Sequence, residues 1–143
     1  QQLIPYVLIS DPEGEKFFVS KRTSGDARLQ NKYALGFGGH INPEDGSLSV
    51  ILSAMYRELN EEVDIELTEE SDIKFIGYVR DLTSDTKDHL GFVFIVKAES
   101  VKIKEKDKLQ GVWMTKKELV DNYFHFEGWS RYIIDYFYEN SNL

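Results

Sequence analysis

The sequence predicts a single α/β domain. Three observations carry that expectation. The chain is long enough for one hydrophobic core. Apolar runs of strand length alternate with stretches of helical period. No repeat or Pro- or Ser-rich linker divides the chain. At 143 residues, with 41% hydrophobic, 29% charged and 13% aromatic residues, the composition is that of an ordinary globular domain. So many aromatics argue against disorder. There are no cysteines, which excludes disulfides, thiolate metal sites and cysteine nucleophiles. No apolar run approaches the roughly 20 residues needed to span a bilayer, and no signal peptide is visible. The expected setting is therefore cytoplasmic, with no membrane partner. The net charge of −8 argues against gripping long nucleic acid. A small phosphorylated substrate stays compatible, because a bound cation can supply positive charge.

The elements follow in order. YVLIS (6–10) and KFFVS (16–20) read as strands joined by the turn DPEG (11–14), an N-terminal hairpin. KRTSGDARLQNKYA (21–34) is polar and irregular until Tyr33, and GFGGHINPEDGS (36–47) is glycine-rich and ends in a turn signature. SLSVILSAMYRELNEEV (47–63) reads as a helix. IKFIGYVR (73–80) and GFVFIVKA (91–98) read as strands around the polar loop 81–90. VKIKEKDK (101–108) reads as a charged connector, and VWM (112–114) as a short strand. Thr115 with Glu118 is a capping-box pattern that starts a helix. EGWSRYIIDYFYENSNL closes the chain as an aromatic helix, with Trp129, Ile133, Tyr136 and Phe137 on one face. Their helical spacing marks them as core rather than as a base-stacking platform.

RELNEEVDI (57–65) places Glu58, Glu61 and Glu62 within five residues. At ~100° per residue, with Glu58 at zero, Glu62 falls near +40° and Glu61 near −60°. Ile51, Met55 and Leu59 fall at about +20°, +60° and +100°. The acids thus continue the apolar stripe, whereas Ser49, Ser53, Tyr56 and Asn60 lie opposite. Like charges in a partly buried place repel unless protons or a cation neutralise them. Oxygen ligands at such spacing suit a hard cation such as Mg2+ or Mn2+. Residues 58–72 hold eight acids, so a solvated acidic face is the competing explanation.

The stretch closely resembles the Nudix hydrolase signature, G-x5-E-x7-R-E-U-x-E-E-x-G-U with U a bulky aliphatic. Arg57, Glu58, Leu59, Asn60, Glu61, Glu62 and Ile65 fill its second half, and Gly38–Gly39 precede it after a predicted strand. Two positions depart from the pattern. The last glycine is Asp64, a residue that tolerates a left-handed backbone better than most. From Gly39, five residues lead to Asp45, but eleven separate Asp45 from Arg57. Asp45 or Glu44 stands in for the early glutamate, or nothing does.

The resemblance implies a Nudix-type fold over residues 1–143, a mixed β-sheet sandwiched between helices. It implies a metal-dependent hydrolase that cleaves the phosphoanhydride bond of a nucleoside diphosphate linked to another group, or of a similar compound. Glu58, Glu61 and Glu62 would ligate Mg2+, with a backbone carbonyl of the Gly38–Gly39 pair as a further ligand. Arg57 would hold the glutamates through a charge-assisted hydrogen bond. A carboxylate would complete deprotonation of the attacking water. Glu105 and Asp107 are placed for that role, with Asp85, Asp88 and His89 as rivals. Arg22, Arg28 and Lys32 could meet substrate phosphates, and His40 follows the glycine pair. A homodimer is a further expectation.

Other readings fail on their own terms. Gly36, Gly38 and Gly39 are not followed by the G-K-[ST] of a P-loop. Thr86 occupies the position where a calcium loop through Asp81, Asp85 and Asp88 needs glycine. The rival from another class is a non-catalytic Nudix-like domain that senses a nucleotide or a protein. Specificity is expected in loops 21–34 and 81–90 and in the last helix.

Overall fold

The structure, a computed structural model, describes residues 2–23, 31–38, 50–67, 73–83 and 88–140. Eight strands are seen among them: β1 (Gln2–Ser10), β2 (Lys16–Arg22), β3 (Tyr33–Ala34), β4 (Gly36–Gly38), β5 (Val63–Leu67), β6 (Lys74–Val79), β7 (His89–Ile103) and β8 (Leu109–Thr115). The helices are α1 (Val50–Glu62), α2 (Lys116–Asp121) and α3 (Gly128–Glu139).

β1 is the hub. It runs parallel to β7 from Gln2↔His89 to Ser10↔Lys97, and antiparallel to β4 and β2. The expected hairpin forms, but its strands pair only at Ser10↔Phe17 before separating. Asp11 sets the turn: its Oδ1 accepts from the amides of Glu15 and Lys16, and its carbonyl accepts from Gly14, which sits at φ 72°. Beyond the turn, β2 pairs along its length with β8, from Lys16↔Thr115 to Arg22↔Leu109.

The near-continuous apolar run of β1 is buried on both faces, as a central strand requires. Tyr6 and Leu8 join one core with Leu119, Phe126, Ile133 and Ile134, from the α2–α3 side. Val7 and Ile9 join the other with Met55 and Leu59 of α1. One mixed sheet between two helical layers is the architecture expected from the sequence.

Three elements differ from the expected ones. The helix ends at Glu62 and the chain passes directly into β5, where Val63 and Ile65 alternate inward. Asp64 therefore does not sit in a left-handed turn. It stands in β5 opposite Lys102, and Asn31 is the sole non-glycine residue of positive φ among the described residues. The connector 101–108 is strand through Ile103, because β7 continues past β1 to pair with β5. Tyr136 is exposed, while Ile133 is buried and Trp129 and Phe137 pack against the core. With Ile133 at zero, buried Ser130 and Ile134 lie near +60° and +100°, so Tyr136 near −60° falls outside the stripe. The capping box forms as read: Thr115 Oγ1 accepts from Glu118 N at 3.2 Å, and Glu118 Oε1 accepts from Thr115 N at 3.1 Å.

A buried polar node fixes β4, the strand leading to the glycine pair. The Tyr6 hydroxyl bonds Ser130 Oγ at 3.1 Å and accepts from Gly36 N at 3.0 Å, while Leu35 N donates to Ser130 Oγ at 2.9 Å. Burial pushes the Tyr6 phenol up to about 12, so it stays a neutral partner. The Tyr6 ring lies directly on Gly36, and a Cβ there would press into it. Gly36→Ala should therefore destabilise the fold by about 1–3 kcal/mol, measured by urea unfolding. A loss below about 0.5 kcal/mol would show that this packing is not tight.

Candidate active site

The second half of α1 carries the chemistry-bearing residues. Met55 and Leu59 are fully buried beneath the sheet, which orients the helix. The glutamates then divide by phase. Glu62, nearest the apolar stripe, and Glu58 are half-buried, the Glu58 side chain being 17% exposed. Glu61 is exposed, unlike the expectation that all three share the inward side. It lies furthest from the buried centre, across Glu58 from Leu59. Tyr56 and Asn60 are exposed on the far side, as expected.

Arg57 Nη2 donates to Glu58 Oε1 at 3.1 Å, the charge-assisted bond expected of this pair. Glu62 is the most perturbed carboxylate of the region, pushed up to about 7. Burial is the main cause, and Glu58, Glu105 and, more weakly, Glu61 add to it, while Arg22 opposes. These five residues come from α1, the β7–β8 turn and the end of β2.

Lys104 explains how Glu105 reaches the group. Its amide donates to Glu62 O at 3.0 Å, and its ammonium donates to Asn60 O. Both carbonyls belong to the C-terminal turn of α1, where a cation also complements the helix dipole. The turn carrying Glu105 is thereby tied to the helix end. Glu105 is exposed and pairs with Lys108 at 3.8 Å. Asp107 lies on the same turn, its carbonyl accepting from Thr23 Oγ1 at 3.3 Å. Asp88 and His89 stand at the opposite end of the long strand β7.

Arg22 closes β2 and pairs with Glu127 at 3.8 Å. Gly38 ends β4 opposite Tyr6, and β4 packs against α1. A Cβ on Gly38 would lie 2.9 Å from Pro5 O, so the close approach needs glycine. Arg28, Gly39, His40, Glu44, Asp45 and Asp85 lie outside the described residues. Among the described residues no three carboxylates or imidazoles converge into a ready cation cage.

A family model for the NUDIX domain matches residues 2–137. The chain belongs to the Nudix family. Protein YmaB of Bacillus subtilis (strain 168) is 33% identical over 144 residues, covering 94% of this chain and 70% of YmaB. The crystal structure of Tm1382, a candidate Nudix hydrolase, superposes with a TM-score of 0.80 at 33% identity, covering 94% of this chain and 69% of Tm1382. The MutT protein of Methanosarcina mazei Go1 shares the fold at 21% identity, with a TM-score of 0.72 over 99% of this chain and 96% of that one.

Nudix enzymes act on phosphorus-containing anhydrides in small nucleotide-like compounds, and generally use divalent metals. The crowding at Glu62 therefore falls on the Nudix helix itself. None of the described helices is long and apolar enough to cross a membrane. Two residues in contact with this group escaped sequence reading. Lys104 and Glu127 carry no motif, and their roles depend on contacts with residues far away in the chain.

Proposed function

We propose that the chain is a Mg2+-dependent hydrolase that cleaves the diphosphate of a nucleoside diphosphate linked to another group. One observation carries the reading. Within an intact R-E-L-x-E-E core, Glu62 is half-buried and crowded by Glu58 and Glu105, charge that a hard cation would neutralise. That donor set fits Mg2+, and Mn2+ by the same chemistry. Glu58, Glu61 and Glu62 would hold it, with the Gly38 carbonyl as a neutral ligand. When bound, such a cation supplies neutralisation of the phosphoryl oxygens and activation of a water.

The protein's own groups do the rest. Arg57 holds Glu58 by its 3.1 Å bond. Arg22, with Arg28 and His40, meets the diphosphate. Glu105 takes a proton from the attacking water. An O–P bond forms as the bridging P–O bond breaks, leaving two phosphate-bearing products. A panel of nucleoside diphosphate derivatives with Mg2+ should yield such products for at least one member. Turnover should disappear with EDTA. Tight binding without turnover across the panel would instead support a nucleotide-sensing domain.

A further inference from the structure

We infer that Glu127 is a positioning residue that holds the Arg22 guanidinium ready for the substrate diphosphate and away from Glu62. The inference rests on the hydrolase reading and extends it to a residue outside the signature. Arg22 acts on two carboxylates: its Nη2 is 3.8 Å from Glu127 Oε1, and its charge opposes the upward shift of Glu62. Glu127 is the N-cap residue of α3, yet its side chain makes no cap hydrogen bond. Glutamate is not among the residues that ordinarily cap a helix through the side chain, so the Glu127 carboxylate is left to pair with Arg22.

The backbone around the pair is fixed by strand register. Glu127 N donates to Tyr33 O at 2.9 Å, and Tyr33 stands opposite Lys21, the neighbour of Arg22 in β2. The placement of the Glu127 carboxylate is thus tied to the strand that carries Arg22. At 40% and 29% exposure, the two side chains leave room for a ligand. Arg22 Nε is buried and has no hydrogen-bond partner among the described residues. A loose, partly exposed pair adds little stability.

The physical logic is competition for one cation. Without Glu127, the Arg22 charge still acts on Glu62, and a salt bridge there would occupy a carboxylate needed for the metal. Glu127 offers a second anchor. A diphosphate presents more charge and paired acceptors that match the guanidinium fork, so it takes Arg22 over. Glu127 is itself partly desolvated, which raises its carboxyl, while Arg22 and then Lys32 oppose the shift.

The test is calorimetric titration with inorganic pyrophosphate in Mg2+ buffer. It compares the parent chain, Arg22→Ala, Glu127→Gln and the double variant. Each single change should weaken binding by about tenfold or more. The double variant should bind no more weakly than Arg22→Ala alone, because Glu127 acts through Arg22. With a substrate from the panel, the loss in Glu127→Gln should fall on KM rather than kcat, and Glu127→Asp should recover part of it. Parent-like pyrophosphate binding by Glu127→Gln, or fully additive losses in the double variant, would overturn the inference. A parent chain that hydrolyses a panel member yet does not bind pyrophosphate also overturns it, and leaves the hydrolase reading standing. Normal pyrophosphate binding with no turnover anywhere in the panel sinks the hydrolase reading instead.

Discussion

Replacing Glu62 with Gln should lower kcat by roughly 100- to 1,000-fold, the scale of losing one preorganised electrostatic group at a reacting centre. Gln keeps the size and one carbonyl oxygen but removes the charge. Glu62 is the carboxylate on which burial, Glu58 and Glu105 converge. A hard cation held there loses an anionic ligand that the neighbours cannot replace without moving. Arg57 and Glu58 keep their own bond, so the helix should stay in place. The measurement is kcat on an active panel member, with unfolding followed in parallel. A variant retaining more than about a tenth of parental turnover would remove Glu62 from the metal set. The same loss accompanied by a collapse in stability would point to folding instead.

The same substitution should stabilise the metal-free chain at alkaline pH. The folded-state value of Glu62, about 7, lies above the ordinary 4.5. The folded chain therefore binds the proton more tightly than the unfolded chain does. Below pH 4.5 both states are protonated and nothing is lost. As pH rises from 4.5 to 7 the folded state is progressively penalised, and above 7 the full cost of the buried, crowded charge remains. That cost is on the order of 3 kcal/mol. Glu62→Gln should match the parent near pH 4.5 and exceed it by that amount at pH 8 in EDTA. Added Mg2+ should close the gap by stabilising the parent through mass action. Urea unfolding at the two pH values decides the matter. Equal stabilities at pH 8 without metal would mean that Glu62 is better solvated than its surroundings indicate. The two results together describe a residue kept for chemistry at a cost in stability.

Much of the site was legible along the chain. The R-E-L-x-E-E core pointed to the family, and the 100° turn placed Met55 and Leu59 inward with Glu58 and Glu62 beside them. The same geometry, applied to the edge of the stripe rather than its centre, accounts for the exposure of Glu61. The capping box at Thr115 was readable because cap and first turn are neighbours in sequence. Less could be said of 63–67 and 101–103. These two segments become strand by pairing with each other; the apolar–polar alternation of VDIEL is a strand signal that the helix reading through Val63 masked.

The sequence by itself determined the helix that carries the glutamates, the face it buries and the family to which its pattern belongs. These are set by residues within a few positions of one another, where backbone periodicity is fixed. Only the tertiary structure decided which remote groups share the site. Glu105 reaches Glu62 because Lys104 clasps the end of α1, and Glu127 reaches Arg22 because Tyr33 ties α3 to the β2–β3 ladder. Such meetings depend on strand register and on where loops close, which no local run of residues encodes.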